Sequence, residues 1–270
     1  MAPDGVNMRG RLSALRGGRS WPLLAGVLGF LLLAVLFLRP GPPFDRNLPD
    51  FSAISDTGER KAAFFGFLQP YINEANREIL RKRQRIRRLE QHLDHGPLNR
   101  REARWVGQTA AAYSIEIPEG ARPGLEVIRQ LENRIDIIPP SLALAQAALE
   151  SGWGTSRFAR QGNNLFGMWC YTPGCGIVPK RRPAGATYEV KAYPSPRESF
   201  LDYIENLNSN PAYASLRQIR QSQRESGKPV TGLTLADGLV RYSQEGWTYI
   251  GKVKTMIRSN NLEGYDEPNF

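Results

Sequence analysis

Glu150 closes an otherwise small and apolar stretch, SLALAQAALESGWG, residues 141–154, in which Gln146 is the other large polar residue. Such a run reads as a buried helix that ends on a single carboxylate. A glutamate in the last turn meets the negative end of the helix dipole, and apolar neighbours disfavour its anion. Both effects push its pKa upward. A carboxyl group that keeps its proton near neutral pH can serve as the general acid of glycosidic cleavage. Gly152 suits the left-handed position just past the helix end, and Trp153 offers a flat face on which a sugar ring can stack. The plainer alternative for Glu150 is a charged helix end that points into water.

Cys170 and Cys175 bracket a Pro-Gly turn in CYTPGC, and the chain has no other cysteine. Its two histidines, His92 and His95, lie far away in sequence. A tetrahedral zinc site needs about four ligands, which this set does not supply. In an oxidising compartment the pair forms a small disulfide loop; in a reducing one it leaves two free thiols. His92 and His95 read as solvated residues of a polar helix. No metal or organic cofactor is expected.

The elements around these residues can be read from pattern and charge. The 270 residues carry a net charge of +10, and 41% are hydrophobic, so an extensive core is expected. Residues 21–38, WPLLAGVLGFLLLAVLFL, are uncharged and as a helix would span about 27 Å, near the thickness of a bilayer core. Arg9, Arg11, Arg16 and Arg19 precede this span, which places residues 1–20 in the cytoplasm and the remainder outside. The absence of a small-x-small site favours an uncleaved signal anchor over a cleaved leader. Residues 39–56 form a proline-rich linker. From there a helix begins, capped by Asp56 or Thr57 and interrupted at Pro70. Seven cationic residues between Arg77 and Arg88 make its polar face strongly basic. Residues 57–104 therefore read as a basic helical stalk: a solvated face, or one that meets anionic lipid headgroups or an anionic polymer. Export argues against nucleic acid. Further helices are predicted over REARWVGQTAAAYSIEI, over GLEVIRQLENRIDIIPPS, from an N-cap at Ser141, and over 195–209, 211–223, 233–243 and 247–259. GIVPK and ATYEVKAY read as short strands of a hairpin.

The stretch ALESGWGTSRFARQGNNLFGMW resembles the glucosaminidase family of peptidoglycan hydrolases. The resemblance continues through ATYEVKAYPSPRESFLDYIENLNSNPAY and LVRYSQEGWTYIGKVKTMI, roughly residues 105–262. The WCYTPGCGIVPKRRPAGA insert and the segment NLPDF to GFLQP look like the bacterial Bax-type, membrane-associated branch. The resemblance implies a mainly α (α+β), lysozyme-like helical domain with a small β-hairpin lobe, preceded by the transmembrane helix and stalk and followed by a tail, 263–270. It also implies that Glu150 is the catalytic acid and that Glu189 assists as base or stabiliser. Tyr242 resembles a cleft tyrosine. The spacing departs from the usual pattern, however, and Tyr249 is the alternative wall residue. Asn163, Asn164 and Phe166 look structural, with substrate contact a secondary role for Asn164. Trp169 faces either sugar or core.

The resulting expectation is an anchored, single-pass protein of the bacterial inner membrane with a periplasmic hydrolase domain. It would act on peptidoglycan strands at the β-1,4 bond after N-acetylglucosamine. Muramidases share the scaffold, so the side of cleavage stays open, and a non-catalytic glycan-binding or scaffold protein is the alternative.

Overall fold

The computed structural model describes residues 47–266. The basic N-terminus, the apolar span 21–38, linker residues 39–46 and the last four residues of the tail lie outside the described residues. Among the described residues, no helix is long and apolar enough to cross a membrane. Residues 47–266 lie within one compact unit.

That unit is built around α4, Pro140–Ser151, whose residues from Pro140 to Ala148 are all buried. A helix apolar on every side must be surrounded, which explains why this stretch lacks a polar face. Its neighbours are α1 (Thr57–Leu93), α8 (Gly232–Leu235), α9 (Trp247–Ser259) and a 3-10 turn at Leu262–Asp266. Between them in sequence come α2 (Arg100–Ala112), α3 (Leu125–Arg134), α5 (Arg157–Gly162), α6 (Pro196–Ser209) and α7 (Ala214–Glu225). Ser141 was expected to cap α4. The helix instead starts one residue earlier at Pro140, and Pro139 in the cap position has no side-chain acceptor to offer. The cap comes from the far end of the chain. Asp266 accepts from the Ser141 amide at 2.9 Å and its hydroxyl at 2.6 Å, and from the Gly232 amide at 2.9 Å.

The structure departs most from expectation at α1. Asp56 caps it, accepting from the Glu59 amide at 2.8 Å. The helix then runs 37 residues without a break at Pro70. Phe64, Phe65 and Leu68 before the proline and Tyr71 and Ile72 after it are all buried. Their burial outweighs the roughly 3 kcal/mol that an interior proline costs. Residues 57–93 are thus not a free stalk, because α1 packs along α3, α4 and α6. Two of its polar residues are buried too. The Asn76 amide donates to the Ile138 carbonyl at 2.8 Å and accepts from the Ile138 amide at 3.3 Å. Arg83 donates to the carbonyls of Glu132 and Ile135. The face that stays outside carries Arg77, Arg81, Arg85 and Arg88.

The remaining predicted helices are present, but α2 and α3 end at Ala112 and Arg134, short of the stretches read as helix; α5 was not anticipated, and 233–243 differs most. There a short α8 gives way to a 3-10 turn, Ala236–Leu239, and then to irregular chain. The β lobe has three short antiparallel strands, β1 (Trp169–Cys170), β2 (Gly176–Ile177) and β3 (Glu189–Lys191), in the order β1-β3-β2. The expected β2–β3 hairpin is present, and β1 joins it with Cys170 opposite Glu189.

Candidate active site

Glu150 occupies the last turn of α4, and Gly152 ends the helix in the left-handed conformation, φ +57°. Trp153 and Gly154 also have positive φ, so the chain reverses within three residues. Gly154 is required by close approach as well: a Cβ there would lie 2.7 Å from the Phe51 ring. Phe51, just ahead of α1, is therefore packed against the turn that follows the candidate acid, and the buried Leu48 lies three residues before it. Leu48 is held further by its amide, which donates to Asn163 Oδ1 at 3.3 Å.

The Glu150 carboxylate accepts from the Tyr249 hydroxyl at 2.6 Å. Its side chain is open to solvent on one side while protein crowds the other. That desolvation raises its pKa above the ordinary carboxylate range, opposed by the Tyr249 hydrogen bond and assisted by the charge of Glu245. The expected upward push is therefore present, with burial as its main cause. Tyr242 stacks on Tyr249, ring centroids 5.4 Å apart and planes 7° from parallel, and donates to the Phe166 carbonyl at 3.3 Å. Of the two tyrosines left open by the sequence, Tyr249 touches Glu150 and Tyr242 packs against Tyr249. Phe166 stacks on Tyr203 at 3.9 Å, beneath this cluster.

Glu189 is held elsewhere. Its carboxylate accepts from the amides of Gly174 at 3.1 Å and Gly176 at 2.8 Å, on either side of Cys175. These two bonds hold its pKa below the usual range. Cys170 and Cys175 form a disulfide that closes this loop. The three groups lie close together, but the sulfurs are tied to each other and offer no thiolate to a metal. Glu189 is thus kept as a carboxylate in the β lobe, and no hydrogen bond links it to Glu150. Reducing the disulfide should lower stability by about 2 kcal/mol in the chain-entropy model for so short a ring. A melting temperature about 4–8 °C lower with reductant is the expected result; coincident melts would show that the loop is held without its bridge.

The aromatic candidates divide. Trp153 does not stand free as a sugar platform. Its ring packs edge-on against Phe64 at 5.7 Å and Phe65 at 5.3 Å, with the Lys61 ammonium 5.1 Å above it. Its role is to fasten α1 to the ESGWG turn. Trp169 is 53% exposed and stacks on Tyr188 at 4.4 Å, which leaves its second face to solvent. Asn164 is fully engaged in structure: it donates to the carbonyls of Met168 and Lys191 and accepts from the Met168 amide, tying the GNNLFG turn to β3. His92 lies 3.1 Å from Glu102, a partner the sequence reading did not assign.

Sequence reasoning missed Gln146. It is completely buried, four residues before Glu150 on the same helix, and bonds both Tyr203 and Tyr249. A lone amide in an apolar run, one helical turn from a carboxylate, was the available signal.

A helical domain with a small three-stranded lobe carries, at a buried helix's tip, a carboxyl whose pKa is raised by desolvation, and glycosidic cleavage calls for such a group. Comparison with known proteins narrows this. The glucosaminidase family model, described as mannosyl-glycoprotein endo-beta-N-acetylglucosaminidase, matches residues 125–262. Protein bax of Escherichia coli K12 is 32% identical over 79% of this chain and 74% of its own length. The peptidoglycan hydrolase FlgJ of the same organism is 36% identical over 34% of the chain, which spans about a third of FlgJ (33%). An autolysin of Enterococcus faecalis is 29% identical over 48% of this chain and 18% of its own length. The chain belongs to the glucosaminidase family of peptidoglycan hydrolases.

Proposed function

We propose that the protein cleaves the β-1,4 bond on the reducing side of N-acetylglucosamine in peptidoglycan, with Glu150 as general acid. The observation that carries this reading is the Glu150 carboxyl itself, raised in pKa and bonded by Tyr249 at 2.6 Å at the end of a rigid, buried helix. It donates its proton to the glycosidic oxygen as the bond breaks, and positive charge develops at the anomeric carbon. Glu189, kept ionised by the loop amides, or the substrate's own 2-acetamido oxygen, stabilises that charge. The exposed face of Trp169 is suited to stack on a sugar ring. Tyr242 and Tyr249 form the wall beside the acid.

The chain is further proposed to sit in the bacterial inner membrane through residues 21–38, with its enzymatic unit in the periplasm. The apolar run and the arginines ahead of it support this. The exposed Arg77, Arg81, Arg85 and Arg88 of α1 suit contact with anionic headgroups.

One experiment addresses both parts. Membranes containing the full chain are incubated with purified sacculi, and the released fragments are analysed by mass spectrometry. New reducing ends on N-acetylglucosamine, from activity that sediments with the membranes, are expected. Reducing ends on N-acetylmuramic acid would move the cut to the other bond. Binding without any release would favour a glycan-binding protein, and activity left in the soluble fraction would argue against the anchor.

A further inference from the structure

We propose that Gln146 and Tyr203 fix the direction of the hydrogen bond between Tyr249 and Glu150, so that the transferable proton of Glu150 is carried on Oε2. The proposal rests on the reading of Glu150 as the acid, and deepens it.

Four side chains form one continuous chain of hydrogen bonds. The Tyr203 hydroxyl donates to Gln146 Oε1 at 2.6 Å. Gln146 Nε2 donates to the Tyr249 hydroxyl at 2.9 Å. That hydroxyl donates to Glu150 Oε1 at 2.6 Å. Gln146 and Tyr203 have no solvent exposure and Tyr249 has 5%, so water does not compete for these groups. An amide has one end that only donates and one that only accepts, and this makes Gln146 the element that sets polarity. Because its NH₂ faces Tyr249 it can only donate there, so the single Tyr249 proton is directed at its remaining partner, Glu150. Reversing the amide would turn its NH₂ towards Tyr203 and leave that buried hydroxyl proton without its acceptor, a costly arrangement in a core.

The consequence at Glu150 is an asymmetry between its two oxygens. Oε1 accepts the hydrogen bond from Tyr249 and cannot also present a proton there. A proton bound by Glu150 therefore resides on Oε2. In the reaction the Oε2–H bond breaks and an O–H bond forms on the leaving oxygen, which takes the electron pair of the broken C–O bond. Glu150 is left as a carboxylate, and the Tyr249 bond becomes charge-assisted and stronger at that moment. The network thus favours the state formed during proton transfer. Gln146 and Tyr203 never touch substrate, so they are positioning residues.

The other groups facing Glu150 do not supply this direction. Tyr242, Tyr203 and Tyr213 feel its charge, but burial raises each of their own pKa values, so they are neutral at neutral pH. Tyr249 is likewise pushed upward by burial. Glu245 is the charged neighbour that acts on Glu150, and it can only repel the anion.

The test is a carbon-13 titration of the Glu150 carboxyl in the protein, assigned with Glu150→Gln, alongside the pH dependence of hydrolysis. Gln146→Met keeps the length of the side chain but cannot orient Tyr249. The Glu150 midpoint should rise by about 0.5–1 pH unit, the size expected for losing one oriented hydrogen bond. The basic limb of the activity profile should rise with it, and kcat should fall about tenfold with KM unchanged. Tyr203→Phe removes one oxygen and should shift the midpoint in the same direction by less. It also decides the matter if Gln146→Met does not fold. An unmoved midpoint in a folded variant would overturn the proposal. The titration needs no turnover: a wild type that cleaves nothing would sink the acid reading, whereas an active wild type with an unmoved midpoint sinks only the network.

Discussion

Glu150→Gln should reduce glycan hydrolysis by about 10²–10⁴-fold, the range that a positioned acid contributes. It should do so without unfolding the protein. The substitution preserves shape, and its amide oxygen still accepts from Tyr249, which bonds the wild-type carboxylate at 2.6 Å. What disappears is the proton donor. Stability gives an independent check on sign. Desolvation raises the Glu150 pKa in the folded state, so the wild type loses stability as pH climbs through that value. Glutamine carries no charge and escapes this loss. The variant should match the wild type in acid and be equal or slightly more stable above neutrality. Turnover on sacculi and thermal unfolding between pH 4 and 8 measure both. Near-normal turnover would remove Glu150 from the mechanism. A melting temperature that collapses at all pH values would mean that its role is structural.

Deleting residues 57–93 should abolish folding of the enzymatic unit. A free stalk could be removed harmlessly, but α1 is part of the core. It buries Phe64, Phe65, Leu68, Tyr71, Ile72, Ile79, Ile86 and Leu89. At roughly 1.5–3 kcal/mol for each large apolar side chain, the loss rivals or exceeds the roughly 5–15 kcal/mol by which a domain is stable. The polar contacts point the same way. Arg83 binds the backbone at Glu132 and Ile135 and lies 3.8 Å from Asp136. Asp136 is 2% exposed and is held by Arg224 Nε and Nη2 at 3.1 and 3.0 Å. Burial works against its ionisation, but the surrounding arginines win and keep its pKa low. Fully buried Arg220, drawn down to about 10 by burial, stays charged at neutral pH and bonds the carbonyls of residues 133, 134, 136 and 137. Without α1 this knot, immediately before α4, loses one of its cations. Far-ultraviolet circular dichroism and cooperative melting of the deletion variant are the measurements. A sharp melt with retained turnover would restore the stalk.

These two cases show what the sequence made legible. Glu150 could be placed because its surroundings are local: an apolar run, a helix end and a glycine after it. The pKa direction follows from that neighbourhood. The same reasoning failed on α1, because burial of Asn76 and Arg83 depends on carbonyls at 132–138, some fifty or sixty residues away. Composition alone assigns an arginine among six other cations to water. Trp153 failed for a related reason. A flat ring beside a candidate acid invites a sugar, but its partners, Phe64 and Phe65, come from a helix that had been set apart as a separate segment. The tyrosines were nearly resolved; only the distance to Glu150 separates Tyr249 from Tyr242. The apolar span 21–38 remains a reading of pattern and charge.

The carboxylate of Asp266 stands in for the cap that Pro139 cannot provide. A polypeptide is made from its amino end, so the start of α4 is completed by a residue synthesised some 125 positions later. Any nascent or truncated product that stops short of it leaves the Ser141 amide unmatched and the helix unlocked at its base. Competence to cut would then wait for Asp266 to be made, a safeguard for a peptidoglycan hydrolase.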